Sequence, residues 1–251
     1  RQILRIPKGL NPVTLGLSIQ AHAYLSQVKG NRRNYHVTEV ARLFELLMGV
    51  ASKGYSGVCW GYDFDWEARY TKINAYVPTA VATGIITNAL YEADKIVPNE
   101  LFKLAILDSC NFVLNDLNRS EDEGSICFSY SPVDSQYVLN ASMKAARQLV
   151  QAHSIKPDIE NLSIAKSAVD YVMRCQQVSG AWSYAMNDAR TWADNYHTGY
   201  VLDCLSSYID LANDDTYKNE FELGLSYYVN NFFEDESIPK FYDNEKYPID
   251  S

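Results

Sequence analysis

Two stretches of the sequence concentrate side chains that could carry out acid–base chemistry. In the first, Asp63 and Asp65 lie two residues apart, and Arg69 follows shortly after them. In an extended loop both carboxylates would point the same way. Because nearby carboxylates repel each other, the pKa of one rises and an acid–base pair becomes possible. The alternative is structural, with an aspartate that caps a helix or pairs with Arg69.

The second stretch contains Arg190, Asp194 and His197. An imidazole can donate or accept a proton near neutral pH, and His197 lies at the predicted start of a helix. The alternative is a histidine that bonds to the backbone of a crowded loop. The candidate catalytic residues are therefore Asp63, Asp65, Asp194 and His197.

Aromatic side chains surround both stretches and offer flat apolar faces on which a sugar ring could rest. The arginines could hold a uronic carboxylate through two parallel N–H donors. The predicted substrate-binding residues are Trp60, Tyr62, Trp66, Arg69, Tyr130, Trp182, Tyr184, Arg190, Trp192 and Tyr196. Hydrolysis would use two carboxyl groups, whereas a lyase or C5-epimerase would use a base such as His197 beside a cation. The sequence leaves both reactions open.

Other function classes receive little support from the sequence. The net charge is −9 without a basic stripe, so a nucleic-acid partner is not expected. The cysteines are scattered, and no P-loop, dinucleotide-binding fingerprint or nucleophile elbow occurs, so we predict no metal and no cofactor. An Asp-X-Asp pair can hold manganese for a sugar nucleotide, but that use belongs to α/β folds. Membrane insertion is not expected, because no run of about 18 apolar residues occurs.

The five cysteines indicate buried free thiols in a reducing compartment, and we therefore predict a cytoplasmic location. No apolar signal segment follows Arg1, the first residue, and the sequence stops after Ser251, where a further helix should begin. We expect an excerpt of a longer chain, forming a single domain over residues 1–251. The sequence does not predict an oligomeric state.

Apolar residues recur at helical spacing in segment after segment, which predicts an all-α fold. Leu139, Met143, Ala146 and Val150 form one such stripe. Alternation with a period of two occurs only in fragments such as 126–130. The predicted helices cover 11–28, 36–53, 77–95, 98–117, 135–154, 159–177, 195–212 and 215–233. Prolines mark three of the helix starts, with Pro78 in a first helical turn and Pro98 and Pro157 opening two others.

Four long connections between helices form an internal repeat, and we call them connectors 1 to 4: 54–76, 123–137, 180–196 and 238–247. Each contains an early aromatic residue, which is Trp60, Phe128, Trp182 or Phe241. Each ends in a tyrosine that opens the next helix, and Tyr76, Tyr137, Tyr196 and Tyr247 are spaced 61, 59 and 51 residues apart. The connectors all precede the same member of a helix pair, so they should lie at one end of the array.

If the helix pairs curl into a ring, the fold is an α/α toroid, complete or incomplete, with the connectors around one mouth. Helix N-termini carry partial positive charge and free N–H groups. Such a mouth suits anionic or hydroxyl-rich ligands. We therefore predict an oligosaccharide site there.

Four segments carry a resemblance to a known family: GYDFDWEAR (61–69), YHTGYVL (196–202), KFY (240–242) and YPID (247–250). With them the chain resembles, from about Asn11 to Asp250, a bacterial family from capsule, exopolysaccharide and lipopolysaccharide gene clusters. The resemblance implies an α/α toroid and a role in surface-polysaccharide biosynthesis. It implies no particular reaction.

The first hypothesis is a carbohydrate-active protein that binds an oligosaccharide precursor, with uronate among its sugars, at the mouth of the toroid. As an enzyme it would be a hydrolase, a lyase or a uronyl epimerase. The second hypothesis is a non-catalytic glycan-binding or scaffold subunit of the same pathway. A third, a polyprenyl or terpenoid binder, predicts an apolar central cavity, which the polar, tyrosine-rich connectors disfavour.

Overall fold

The structure is a computed structural model that describes residues 9–30, 32–68, 71–235 and 237–245, and it is all-α as predicted. All eight predicted helices are confirmed, and a single 3-10 turn at Asp215–Tyr217 precedes the last one. The helices are α1 (Pro12–Leu25), α2 (Arg33–Gly49), α3 (Ala80–Asp94), α4 (Glu100–Asn115), α5 (Leu139–Ile155), α6 (Ile159–Arg174), α7 (Asn195–Ala212) and α8 (Lys218–Asn231).

Three of these helices are started by a capping side chain that directly follows a proline. The N-cap residues are Thr79 of α3, Asn99 of α4 and Asp158 of α6, and each accepts a hydrogen bond from a backbone N–H group of the first turn. The prediction that Pro78 lies inside the first turn was therefore wrong. The helix begins where a side-chain oxygen can satisfy a free N–H group, which is one residue beyond the proline.

Short antiparallel strand pairs brace the connections between helices. They are β1 (Trp66–Ala68) with β2 (Thr71–Ile73), β3 (Arg119–Asp122) with β4 (Ser125–Phe128), β5 (Tyr137–Val138) with β6 (Ala185–Met186), and β7 (Phe233–Glu234) with β8 (Ile238–Pro239). The β3–β4 hairpin turns at Glu123 and Gly124, whose φ values of 47° and 79° are those of a two-residue left-handed turn. Only β4 falls in a fragment with predicted alternation.

The chain divides into two compact units between Asp116 and Leu117. In the first unit, α1 packs against α2 and α3, and α3 packs against α4. In the second unit, α5 packs against α6 and α7, and α7 packs against α8. Each unit is thus built from consecutive helical hairpins. The single-domain assignment for residues 1–251 stays a prediction.

The aromatic repeat has a structural basis in the hairpins. Trp60 and Trp182 are buried, and each indole Nε1 donates to a carbonyl in the last turn of the preceding helix. The acceptors are Leu47 of α2 and Val172 of α6, both at 3.0 Å. The Trp182 ring lies against Gly224, where any Cβ atom would come within 2.5 Å of it. These two tryptophans therefore fasten the connector to the end of the helix before it.

The following helix is fastened through the same repeat position. The N–H group of Trp60 donates to Thr83 Oγ1 at 3.1 Å, and the N–H group of Phe128 donates to Ser142 Oγ at 3.2 Å. Thr83 and Ser142 are the fourth residues of α3 and α5. The repeat read from the sequence is therefore a repeat of hydrogen bonds as well as of residue types.

Three connectors lie at the same end of the second unit. Strand β5 of connector 2 pairs with β6 of connector 3. Asp194 of connector 3 forms an antiparallel bridge with Tyr242 of connector 4, and the Asn195 N–H group donates to the Phe241 carbonyl at 2.9 Å. The predicted gathering of long loops is thus confirmed for these three.

The tyrosines that close the connectors do not occupy equivalent positions. Tyr76 lies four residues before α3 with a φ of 63°, Tyr137 begins β5, and Tyr196 is the second residue of α7. Tyr247 lies outside the described residues. The prediction that each of these tyrosines opens a helix holds for Tyr196 and was wrong for Tyr76 and Tyr137, because the residues that start α3 and α5 are Thr79 and Val138.

All five cysteines are free thiols, and four of them are buried. Burial raises the pKa of Cys59 and of Cys127 to about 12, so these thiols stay protonated. Among the helices of the described ranges, none is both long and apolar enough to cross a lipid bilayer.

We expect the substitutions Trp60→Phe and Trp182→Phe each to lower the free energy of unfolding by about 1–3 kcal/mol. Phenylalanine keeps most of the apolar ring but leaves the buried carbonyl of Leu47 or Val172 without its indole donor. Chemical denaturation measures the change. The control is Trp192→Phe, whose ring is 39% exposed and whose loss should cost less than about 0.5 kcal/mol. Equal losses in all three variants would contradict the fastening role.

Candidate functional site

Asp194 and His197 form a hydrogen-bonded pair at the start of α7. Asp194 is the N-cap residue, and its carboxylate accepts the backbone N–H of His197 at 2.9 Å. The Nδ1 atom of the same histidine lies 2.7 Å from both carboxylate oxygens. Because a carboxylate can only accept, Nδ1 carries the proton and Nε2 is left as an acceptor. The Asp194 side chain is 1% exposed and that of His197 is 31% exposed, so a ligand can reach the imidazole.

Aromatic rings enclose this imidazole. The rings of Tyr184 and His197 pack edge to face with centroids 4.4 Å apart, and Trp192 stacks on Tyr184 at 5.5 Å. Tyr200, one turn along α7, contacts His197 edge-on at 6.3 Å. Trp192 and Tyr196 remain 39% and 44% exposed. The pair therefore lies against a cluster of aromatic rings, and two further aromatic residues nearby are partly exposed.

Connectors 3 and 4 hold this aromatic cluster in place. The Tyr184 N–H group donates to the Trp192 carbonyl at 2.8 Å, which folds connector 3 back on itself. Asn195, the first residue of α7, donates to the Lys240 carbonyl at 3.0 Å and accepts from the Tyr228 hydroxyl at 2.7 Å. The start of α7 is thus tied both to connector 4 and to α8.

Arg190, predicted to bind substrate, is held by a carboxylate of its own connector. Its guanidinium donates to both oxygens of Asp188, at 2.5 to 3.1 Å, and lies 5.1 Å from the Tyr184 ring centre. The hydrogen bonds from Arg190 hold the pKa of Asp188 below its usual value. Burial raises the pKa of Tyr184. Arg190 is itself only 8% exposed, so it stabilises the connector and its charge is largely neutralised.

A second polar group near the pair was not predicted from the sequence. Lys144 of α5 is 1% exposed, and its ammonium lies 3.7 Å from the centre of the Tyr200 ring. Burial lowers its pKa to about 8, with a further lowering by the neighbouring Arg147. One turn further along, Arg147 pairs with Asp203 of α7. The facing sides of α5 and α7 thus carry two cation contacts.

The signal that could have identified Lys144 is the polar stripe of α5. Every residue from Leu139 to Ala152 is buried. The apolar stripe of Leu139, Met143 and its successors accounts for only one side of such a helix. The polar residues among them are Asn140, Ser142, Lys144, Arg147, Gln148 and Gln151. Charged side chains that lie buried on the side of a helix opposite its apolar stripe are functional candidates.

In connector 1, the two predicted catalytic aspartates bond to different segments of the first unit. Asp63 accepts the Asn11 side-chain amide at 3.0 Å, and Asp65 accepts the backbone N–H of Ala75 at 2.8 Å. Arg69 lies outside the described residues. Neither aspartate caps one of the described helices, and both carboxylates instead hold the loop to neighbouring segments. Their catalytic role stays a prediction.

The other predicted binding residues divide by exposure. Trp60, Tyr130 and Trp182 are buried, so their rings present no open face. Tyr62 is half-buried and stacks on Phe64 at 5.4 Å, and Trp66 lies half-buried in β1. Of the predicted set, the second unit brings together Tyr184, Arg190, Trp192, Asp194, Tyr196 and His197. Within the described ranges, no three His, Cys, Asp or Glu side chains converge as a metal site.

We expect Lys144→Met to raise the free energy of unfolding at pH 7, by on the order of 1–3 kcal/mol. The pKa of Lys144 is about 8 in the folded chain and its ordinary value is 10.5, so the buried ammonium costs stability in full below pH 8. That cost declines as pH rises from about 8 towards the unfolded value. The advantage of the methionine variant should therefore shrink over this range, as measured by denaturation at several pH values. If the wild-type chain were as stable as the methionine variant at pH 7, the cost assigned to the charge would be contradicted.

Solved structures match the chain over most of its length at low sequence identity. Cellobiose 2-epimerase from Spirochaeta thermophila matches with a TM-score of 0.71 and 10% identity, covering 92% of this chain and 62% of that chain. Cellobiose 2-epimerase from Bacillus thermoamylovorans gives 0.68 and 8%, covering 90% and 61%. A GH76 α-mannanase from Bacteroides thetaiotaomicron gives 0.61 and 11%, covering 86% and 59%.

The chain spans about three fifths of the length of these proteins. No protein-family model matches it, and no curated protein matches it in sequence. At these identities the likeness shows the fold alone. The chain accordingly has the helical-hairpin fold of the α/α-toroid class, as the sequence predicts.

Proposed function

We propose that the chain belongs to a carbohydrate-active enzyme in which His197 moves a proton at a sugar carbon. The observation that carries the proposal is the Asp194–His197 pair, an imidazole oriented by a buried carboxylate and still open to a ligand. The exposed rings of Trp192 and Tyr196 provide apolar faces beside it for the sugar. The catalytic centre proposed is thus the start of α7.

The chemistry follows from the tautomer that Asp194 selects. Nε2 of His197 takes a proton from a carbon next to a carbonyl group of the sugar: the C–H bond breaks, an N–H bond forms, and the electron pair moves into the carbonyl to give an enolate. Return of the proton by His197 to the neighbouring carbon gives an isomer. Delivery of a proton to the opposite face by a water molecule gives an epimer, and the imidazolium then gives its proton to the hydroxide that is left. Expulsion of a leaving group gives an unsaturated sugar instead. Asp194 stabilises the imidazolium between the two proton transfers.

Glycoside hydrolysis fits the described contacts less well. It needs two carboxyl groups that flank the bond to be cleaved. In connector 3, Asp194 is bound by His197 and Asp188 is bound by Arg190. The proposal assigns a structural role to Asp63 and Asp65, whose partners lie within the first unit.

The solved structures of like fold are consistent with this class of reaction. Besides the two cellobiose 2-epimerases, they include a D-mannose isomerase and a polysaccharide lyase. The biological setting that we propose is bacterial surface-polysaccharide biosynthesis, which rests on the family resemblance of the sequence. An oligosaccharide precursor is the proposed partner.

We expect His197→Gln to lower turnover by about 10²- to 10⁴-fold, because the base is removed while a polar side chain of similar size remains. Asp194→Asn should lower it by a smaller factor, since asparagine still caps α7 but no longer selects the tautomer of His197. The assay is proton NMR of neutral and uronate-containing oligosaccharides incubated with protein in D₂O. Proton transfer at carbon exchanges a C–H signal, whereas hydrolysis produces new anomeric signals without such exchange.

The matched control is His153→Gln, in the last turn of α5, where the imidazole bonds to the backbone of Asp158. It should leave turnover unchanged. Exchange that persists in His197→Gln would refute the proposed base. A wild-type chain that binds oligosaccharides but neither exchanges nor cleaves them would favour the non-catalytic glycan-binding alternative.

A further inference from the structure

The buried ammonium of Lys144 lacks the partner that buried charges usually have. Charged groups are rarely buried without an opposite charge or a full set of hydrogen bonds. Among the described residues, Lys144 has no ion pair and no hydrogen bond, and its ammonium packs against the ring of Tyr200. Arg147, on the next turn, does have a carboxylate partner in Asp203. The difference between the two cations calls for a physical explanation.

The position of Lys144 relates it to the proposed catalytic centre. Lys144 and Tyr200 lie at the same place in successive repeats, six residues after Val138 and Asp194, which precede α5 and α7. The ammonium lies 3.7 Å from the Tyr200 centroid, and the His197 imidazole lies 6.3 Å from that same centroid. Their separation therefore cannot exceed the sum of these two distances. That span is comparable to one sugar residue with its charged substituent.

The charges around Lys144 also favour an anionic ligand. An aromatic face stabilises an ammonium but leaves its N–H donors free for an acceptor. The other charged or titratable groups close to it are Arg147 of its own helix and Tyr200, Asp203 and Cys204 of α7. Asp203 is paired with Arg147, and the pKa of Tyr200 is raised by burial, so that its hydroxyl stays protonated. Arg190 is neutralised by Asp188. Within the part of the chain that the structure describes, Lys144 is thus the cation of this cluster that forms no ion pair with a carboxylate.

We propose that Lys144 is an anion subsite for the His197 centre, so that the substrate is an acidic sugar whose carboxylate or phosphate contacts the Lys144 ammonium. This inference rests on the proposed function and names its substrate class. It also explains why a chain of net charge −9 keeps an unpaired cation inside a buried helix. The charge costs stability in the free protein and is compensated when the anion binds.

The test is a binding measurement by titration calorimetry with three probes: D-glucuronate, D-glucose 6-phosphate and neutral D-glucose. In the wild-type chain we expect a charged sugar to bind more tightly than glucose. The carboxylate and phosphate arms identify which anion the subsite prefers. Lys144→Met should weaken the binding of the charged sugar by about 10- to 100-fold and leave the affinity for glucose unchanged. Lys144→Arg, which keeps the charge, should recover part of the loss.

Two controls separate this result from loss of fold. Lys166→Met removes a lysine of α6 whose side chain is 43% exposed and pairs with Asp170, and it should not change the binding of any probe. In the wild-type chain, the affinity for the charged sugar should fall as pH rises through about 8, where Lys144 loses its proton, and Lys144→Met should lack this fall. Unfolding of the methionine variant would instead weaken the binding of all three probes together.

Binding and turnover report on different claims. The same titrations on His197→Gln, which keeps Lys144, should show the full preference for the charged sugar. If that preference is present but exchange persists in His197→Gln, the subsite stands and the proposed base fails. Equal binding of charged and neutral sugars, absence of binding of both charged sugars, or unchanged affinity in Lys144→Met overturns the subsite whatever the turnover.

Discussion

The second unit depends on a single buried carboxylate. Asp194 is 1% exposed, and a carboxylate at such depth is tolerated only when its oxygens are fully hydrogen-bonded. It meets that requirement with one free N–H group of the first turn of α7, that of His197, and with the Nδ1 atom of the same residue. The same carboxylate therefore both starts the helix α7 and orients the imidazole of His197. A substitution that weakens one also weakens the other, unless the new side chain can still accept the backbone N–H group.

The aromatic repeat of the connectors explains how one fold provides both the bonds that hold the connectors in place and the groups that could react. At the early aromatic position of the connectors, Trp60 and Trp182 donate the same hydrogen bond to the preceding helix. Thr83 and Ser142 accept the backbone N–H group of that position in the same way. These bonds fix where connectors 1 to 3 meet their helices. The residues that vary between repeats, such as Lys144 in α5 and its counterpart Tyr200 in α7, are then free to form contacts found at one place only.

Much of the fold could be predicted from the sequence, because a helix with one apolar side has apolar residues at regular helical spacing. All eight helices were found, and the predicted gathering of the four connectors is confirmed for connectors 2 to 4. Periodicity did not show which side of a ring faces the core, so Trp60 and Trp182 were predicted as sugar-binding surfaces although they are buried.

The site was predictable where its residues are neighbours in sequence. Asp194 and His197 lie within one helical turn, so the capping rule and the reactivity of histidine both point to them. Lys144 was missed because its partner Tyr200 is far away in the chain and because α5 was described by its apolar stripe alone. Its contact depends on the packing of α5 against α7, which spacing along one helix does not reveal.

The central claim is that Asp194 holds His197 with its proton on Nδ1, leaving Nε2 as the reactive nitrogen. The most direct measurement is nitrogen-15 NMR of the histidine side chains in the labelled chain at a pH where the imidazole is neutral, with the His197→Gln spectrum assigning the resonance. The account predicts the Nδ1–H tautomer for His197, with Nε2 unprotonated and shifted when an acidic sugar is added. A proton on Nε2, or an Nε2 signal indifferent to every sugar tested, would contradict it.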